Sequence, residues 1–147
     1  MVSTTGTIAG MANRRDLFKL AGLPALAALA ASAGPKLPNL TINGDKAKVT
    51  KETFGEIRVY FDGPTDQLKA MTAGSVLLHP GASPHPPHEH PEEEFLLITD
   101  GTGEISMEGK VTEVGPGAMM YSAAGRLHGI VNTGKTPMTF YYYKWKA

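Results

Sequence analysis

The stretch of the chain richest in metal-binding side chains is Gly81-Ala-Ser-Pro-His85-Pro-Pro-His88-Glu-His90-Pro-Glu-Glu-Glu94-Phe-Leu-Leu-Ile-Thr-Asp-Gly101. Side chains two residues apart on a β-strand point to the same face of the sheet, so His88 and His90 can lie side by side. Glu94 keeps this parity if the chain stays roughly extended past Pro91. Two imidazoles and a carboxylate on one face can form part of a metal site with nitrogen and oxygen donors.

The sequence around this stretch predicts many short strands and almost no helix. From Pro35 onward, Gly and Pro recur and separate short apolar segments, a pattern typical of an all-β sandwich or barrel. Glu108-Gly109 predicts a two-residue hairpin turn, and Lys36–Lys48 is expected to be a loosely held polar lead-in. The predicted strands are Lys48–Thr53, Glu56–Phe61, Leu68–His79, Glu93–Thr99, Gly103–Met107, Lys110–Val114, Ala118–Tyr121, Leu127–Asn132 and Met138–Lys144.

Length and composition limit the kinds of partner and of metal site. A chain of 147 residues suits one domain with a substantial core. Its formal net charge is zero, which gives no electrostatic case for binding nucleic acid or an anionic membrane. Because there is no cysteine, any metal must be held by His, carboxylate, carbonyl or water. We therefore expect a small-molecule ligand or substrate.

The first 33 residues resemble a twin-arginine export signal. Arg14-Arg15 precedes an apolar run rich in Ala and Leu that ends in Ala31-Ser32-Ala33, the small-x-small pattern that signal peptidases accept. This resemblance predicts a signal peptide over residues 1–33, a periplasmic or otherwise exported protein, and no stable membrane anchor after cleavage. The alternative is an amphipathic amino-terminal helix that stays in the mature protein.

Two segments together resemble the paired motifs of the cupin superfamily. The first is His88-x-His90-x3-Glu94-x6-Gly101, and the second is Gly117-x5-Ala123-x-Gly125-x2-His128-x3-Asn132. The chain departs from the first motif by one extra residue between Gly81 and His88, in the loop that contains His85. It departs from the second at Ala123, where the motif has proline.

The resemblance implies an RmlC-like jelly-roll barrel, a double-stranded β-helix, over residues 48–147, after a lead-in over residues 34–47. It implies a divalent metal inside the barrel, with His88, His90, Glu94 and His128 as its ligands. This donor set suits Mn or Fe and also admits Ni, Co or Zn. Because such domains commonly form pairs, we expect a homodimer.

Other residues are candidates for supporting or catalytic roles. Candidate catalytic residues are His85, Tyr121 and Arg126, and Tyr141 or Tyr143 are alternatives to Tyr121 for a tyrosine that faces the pocket. Glu92 and Glu93 are expected to form a solvated acidic rim, and the aromatic tail from Phe140 to Trp145 is expected to supply core and subunit-interface packing.

Fold and metal do not define a reaction, because this scaffold supports many. The favoured interpretation is an exported metalloenzyme that acts on an oxygen-rich small molecule, with dioxygenase, decarboxylase or isomerase-like chemistry. The alternative is a non-catalytic module that binds a sugar or a small carboxylate through the metal. A third possibility is a metal with a chiefly structural role.

Overall fold

A computed structural model describes residues 34–147, so the predicted export signal over residues 1–33 lies outside the described residues. Within residues 34–147 the regular structure is nine strands and one short 3-10 turn at Gly44–Lys46. The all-β prediction is confirmed, and each predicted strand is present with its ends displaced by no more than a few residues. The strands are β1 Lys48–Glu52, β2 Gly55–Gly63, β3 Ala70–Leu78, β4 Glu93–Asp100, β5 Gly103–Met107, β6 Lys110–Val114, β7 Met119–Ser122, β8 His128–Val131 and β9 Met138–Lys146.

The strands form two antiparallel sheets. The large sheet has the order β1-β2-β3-β9-β4-β7, and the small sheet has the order β6-β5-β8. The segment around His88 adds to the small sheet, since the backbone N–H of His88 donates to the carbonyl of His128 and the N–H of His128 donates to that of His88, each at 2.9 Å. Among residues 34–147, no helix is long and apolar enough to cross a membrane.

Alternation along the strands determines which side chains point into the barrel. The interior has a polar end and an apolar end. On β4, Glu94, Leu96 and Ile98 are buried while Phe95 is exposed, which confirms the predicted parity. Glu94 lies at the polar end, opposite Lys144 of β9. The apolar end holds most of the hydrophobic core, whose buried members are Ile57, Val76, Leu78, Leu96, Ile98, Ile105, Met120, Ile130, Met138, Phe140 and Tyr142.

The hairpin between β5 and β6 has the predicted two-residue turn. Glu108 has a φ of 50° and Gly109 a φ of 82°, so both central residues are left-handed, as a type I′ turn requires. Met107 pairs with Lys110 directly across the turn. Glu108 tolerates this conformation while its carboxylate accepts a hydrogen bond of 2.7 Å from the N–H of Leu127, which ties the turn to the start of β8.

The lead-in over residues 34–47 contacts β2 and the loop that follows it. The N–H of Leu37 donates to the carbonyl of Pro64 at 2.8 Å. The guanidinium of Arg58 donates to the carbonyl of Gly44 at 2.9 Å. These bonds attach the lead-in to the large sheet.

Asn132 joins the end of β3 to the loop that follows β8. Its side chain is fully buried, and its amide nitrogen donates to the carbonyls of Leu78 at 3.1 Å and of Thr136 at 2.9 Å. Its amide oxygen accepts a hydrogen bond from the N–H of Gly134 at 2.9 Å. The asparagine of the second motif therefore has a structural role, at the junction of β3 with the loop that follows β8.

We expect Asn132→Ala to destabilise the fold by about 2–4 kcal/mol, because it leaves buried backbone groups without partners. Urea unfolding, with the exposed Asn39→Ala as the matched control, measures the loss. An Asn132→Ala protein as stable as the control would contradict this structural role.

Candidate metal centre

Three imidazoles meet inside the barrel. The ligand nitrogens of His88, His90 and His128 all lie within 4.8 Å of one another, and their ring centroids are 4.9–5.3 Å apart. His88 and His90 come from one extended segment, as their spacing predicts. His128 joins them because it opens β8 directly opposite His88.

Glu94 completes the predicted group of four. Its Oε2 atom lies 2.9 Å from Nε2 of His128 and 3.2 Å from Nε2 of His90. Burial by itself would raise the pKa of Glu94, but the imidazoles of His128 and His90, which donate to it when they are protonated, outweigh burial and lower the pKa to about 2. Glu94 is therefore ionised at neutral pH, the state that a metal ligand needs.

Backbone carbonyls define the tautomers of two of the rings. Nδ1 of His90 lies 3.0 Å from the carbonyl oxygen of Glu92, and Nδ1 of His128 lies 2.8 Å from that of Arg126. Since a carbonyl oxygen only accepts, each Nδ1 carries the proton and donates it. In the neutral rings each Nε2 then presents a lone pair, the orientation typical of metal-ligating histidines.

These lone pairs point at the same carboxylate oxygen, which makes the group suitable for a cation. A lone pair facing Oε2 of Glu94 is repelled unless a proton lies between the two atoms or both atoms bind the same metal ion. One divalent ion would satisfy His90, His128 and Glu94 together. The geometry of the donors therefore fits the metal that the sequence motifs imply.

His88 provides independent support for this fit. Its Nδ1 atom is buried and is without a hydrogen-bond partner among the described residues. Burial, together with the neighbouring imidazoles of His85, His128 and His90, lowers the pKa of His88 to about 4, so the ring is neutral at physiological pH. A neutral imidazole with a buried nitrogen that lacks a partner is a suitable metal donor, whereas leaving such a nitrogen unused costs about 1–3 kcal/mol.

His85 lies beside the metal-binding group because its loop is longer than the strand it faces. Residues 83–87 run opposite residues 129–131, between the bonded pairs Ala82–Asn132 and His88–His128. The loop side is thus two residues longer and bulges. The His85 ring lies 3.8 Å from that of His88, centroid to centroid, and burial lowers its pKa.

Tyr121 and Arg126 occupy other positions. The Tyr121 side chain is half exposed on the outer face of β7, where its hydroxyl donates to Glu93 at 2.9 Å. The Arg126 side chain is exposed, and its contact with the donor group is made by its backbone carbonyl. Neither side chain is brought beside the imidazoles.

The tyrosine that faces the interior is Tyr142. Alternation along β9 buries Tyr142 and leaves Tyr143 exposed and Tyr141 half-buried on the opposite face, so the choice of Tyr141 or Tyr143 is wrong. Burial, with the negative charges of Glu94 and Asp62, raises the pKa of Tyr142 to about 12. Gly74 leaves room for this side chain, since a Cβ there would lie 2.5 Å from the Tyr142 hydroxyl.

Two charged residues at the site were missed or misplaced by the sequence reasoning. Glu92 is 4% exposed and its Oε2 atom lies 3.3 Å from Nδ1 of His90, so the expectation of a solvated position is wrong. Lys144 is also buried and lines the cavity beside the imidazoles. The same two-residue alternation predicts both, because Glu92 shares parity with Glu94 and Lys144 shares parity with Phe140.

The donors surround a narrow cavity next to a wider groove. The cavity measures about 30 Å³, and Glu94 and Lys144 are the acidic and basic residues among those that line it. A groove of about 610 Å³ lies over the outer face of the small sheet. Pro84, His85 and Ile130 line both spaces, so His85 forms part of the wall between them.

Comparison with known proteins agrees with the fold and the motifs. Residues 74–143 match the cupin domain family, and no curated protein sequence gives a significant match. The match covers 70 of the 147 residues and, together with the fold, supports a single cupin domain in the described part of the chain. Three solved structures share this fold at identities under 25%.

An RmlC-like cupin from Shewanella frigidimarina is 14% identical with a TM-score of 0.62, over 76% of this chain and 94% of that chain. A predicted oxalate decarboxylase from Thermotoga maritima is 19% identical with a TM-score of 0.60, over 74% and 100% of the two chains. The polyketide cyclase RemF from Streptomyces resistomycificus is 21% identical with a TM-score of 0.61, over 74% and 80%. At these identities the similarity establishes the fold and leaves the reaction open.

Proposed function

We propose that this protein is a metal-dependent enzyme that acts on a small oxygen-rich molecule. The observation that carries the proposal is the convergence of the Nε2 atoms of His90 and His128 on one carboxylate oxygen of Glu94, with His88 as the fourth ligand. Nitrogen and oxygen donors without sulfur favour Mn or Fe, with Ni, Co or Zn as alternatives. When bound, such an ion would polarise a substrate oxygen or lower the pKa of a bound water.

His85 supports an enzyme over a simple binding module. Its Nδ1 lies 3.0 Å from the carbonyl of Pro86, which orients the ring and leaves Nε2 as the nitrogen with a lone pair. The ring also forms part of the cavity wall, where it can contact a ligand and exchange a proton with it. We assign His85 this proton-transfer role. The candidate reactions are decarboxylation, isomerisation and dioxygenation, among which the fold does not select.

The proposal predicts different defects for two histidine substitutions. In protein loaded with Mn or Fe, His90→Ala should lose the metal and all turnover, because it removes a ligand. His85→Gln should keep the metal and lose about 100-fold or more in turnover, the usual contribution of general acid–base catalysis. Metal analysis, oxygen uptake and organic-acid turnover measure these effects.

His79→Gln is the matched control, since His79 is exposed and outside the metal-binding group. Turnover that survives in His90→Ala would refute the proposed metal centre. Metal-dependent ligand binding without any product would favour the non-catalytic binding module.

We also propose that the protein is exported to the periplasm after removal of residues 1–33. The twin arginines, the apolar run and Ala31-Ser32-Ala33 support this proposal. A twin-lysine variant, Arg14→Lys with Arg15→Lys, should keep the precursor inside the cell, whereas Lys36→Arg should not. Cell fractionation measures the distribution, and equal export of the twin-lysine variant would contradict a twin-arginine signal.

The outer face of the large sheet supports a homodimer. Phe95, Tyr121 and Tyr143 are 37%, 50% and 45% exposed and are neighbours in register on β4, β7 and β9. Phe95 packs against Tyr121 and Trp145, with ring centroids 5.2 and 5.5 Å apart. An exposed aromatic patch of this kind favours burial against another protein surface. We propose that a second copy of the chain covers it.

We therefore expect Phe95→Glu to convert a dimer into a monomer, because a charge would be buried in the interface. Val111→Glu is the matched control, since Val111 is 56% exposed but lies on the small sheet. Analytical ultracentrifugation measures the mass. A wild-type monomer, or equal dissociation in both variants, would contradict the assignment of this face.

A further inference from the structure

Lys144 is a buried cation at the polar end of the barrel. Its side chain is 7% exposed, and β9 lies between β3 and β4 in the large sheet. Lys144 therefore pairs with Thr72 on one side and with Glu94 on the other, and all three side chains are buried. The residue lines the same cavity as the three imidazoles.

The charge of Lys144 is not matched by an ion pair within the described part of the chain. Among residues 34–147, no carboxylate oxygen lies within 4.0 Å of its Nζ atom. Oε2 of Glu94 is directed at His90 and His128, and the Thr72 hydroxyl donates to Asp62 at 3.0 Å. Because no carboxylate of the described residues pairs with Lys144, its ammonium is available to an anionic ligand in the cavity that the residue lines.

The balance of charge around the cavity also favours an anion. Glu94 and Lys144 are the acidic and basic residues among those that line it. Once a divalent ion is bound, the charges of the ion and of Lys144 together exceed the charge of the Glu94 carboxylate by two. Because charges interact more strongly where water is largely excluded, such a cavity discriminates strongly between an anion and a neutral molecule.

The cavity also limits the size of the ligand. The cavity measures about 30 Å³, against about 610 Å³ for the neighbouring groove, so it admits only a small group beside the imidazoles. A ligand with few non-hydrogen atoms is therefore favoured over a sugar ring. Lys144 approaches this small space from β9, beside Glu94 of β4, while β8 and the segment before β4 carry the imidazoles.

We propose that Lys144 binds the carboxylate of the substrate, and that the substrates are short carboxylic acids, either dicarboxylates or 2-oxo acids. The inference rests on the proposed metal centre, because that centre supplies the second contact to the ligand. It names Lys144 as the residue that determines specificity for an anion. It also excludes neutral sugars as preferred ligands.

Calorimetric titration of the Mn-loaded protein with oxalate and pyruvate tests the inference, with neutral glyceraldehyde as a third probe. Lys144→Met keeps the length and apolar stem of the side chain and removes its charge. We expect it to weaken oxalate binding at least tenfold while metal affinity is unchanged or higher, because a nearby positive charge is removed. Lys144→Arg should retain part of the oxalate affinity. Lys146→Met, at the exposed end of the same strand, should bind oxalate as the wild type does.

The outcomes separate this inference from the metal centre. If Lys144→Met and wild type bind oxalate equally, or if glyceraldehyde binds as tightly as oxalate, the inference is wrong while the metal centre stands. If Lys144→Met loses metal affinity to the same extent as oxalate affinity, Lys144 supports the metal site and the inference is again wrong. Should Lys144→Met not fold, as judged by circular dichroism, Lys144→Gln replaces it in the same titration.

A failure of the metal centre gives a different result. If the wild type binds no divalent ion, the proposed centre fails, and oxalate binding to the metal-free protein decides the role of Lys144. Weaker binding in Lys144→Met than in wild type would then support the lysine alone. Equal binding, or no oxalate binding in any form of the protein, would overturn the inference.

Discussion

The site depends on the reciprocal pair of backbone hydrogen bonds between His88 and His128, each 2.9 Å long. This pair joins two motifs that are forty positions apart in the sequence and defines their register. Because side chains alternate between faces, a slip of one residue would turn His128 away from the interior. The next residue, Gly129, permits the close approach, since a Cβ there would lie 3.1 Å from Cα of Pro87. The imidazoles therefore converge because the pairing of their two backbone segments brings the side chains together.

The apolar residues that stabilise the fold lie at one end of the barrel, and the buried charged residues lie at the other end. Leu78, Ile98 and Met138 are almost completely inaccessible at one end, and burying each such side chain contributes about 1.5–3 kcal/mol. At the other end Glu94 and Lys144 are buried at a cost. Hydrogen bonds from His90 and His128 to backbone carbonyls orient the rings without further charges. This division lets the polar end keep unsatisfied groups, such as Nδ1 of His88, for a metal.

Periodicity in the sequence predicted the strands and the faces of their side chains. Features that depend on irregular backbone were not predicted. Alternation was sufficient for the nine strands and for the shared face of Glu94 and Ile98. The same alternation, applied also to Glu92 and Lys144, would have placed both side chains in the barrel interior. The aromatic tail obscured this, because β9 is central in the large sheet and carries large residues on both faces. The position of His85 has no periodic signal, since it arises from a bulge. The sequence motif indicated one extra residue in this loop, but the bulge itself appears only when residues 83–87 are aligned with residues 129–131.

The division of roles between elements explains how one barrel can serve different ligands. The metal donors lie on β4, β8 and the segment before β4, which the pairing of His88 with His128 holds in one arrangement. Lys144 lies on β9 and His85 on the bulged loop, so neither takes part in that pairing. Substitution at either position changes the charge or shape next to the candidate metal centre without displacing its donors. The paired motifs therefore determine what a bound ion could do. Lys144 and His85, which lie outside these motifs, determine which ligand the ion could act on.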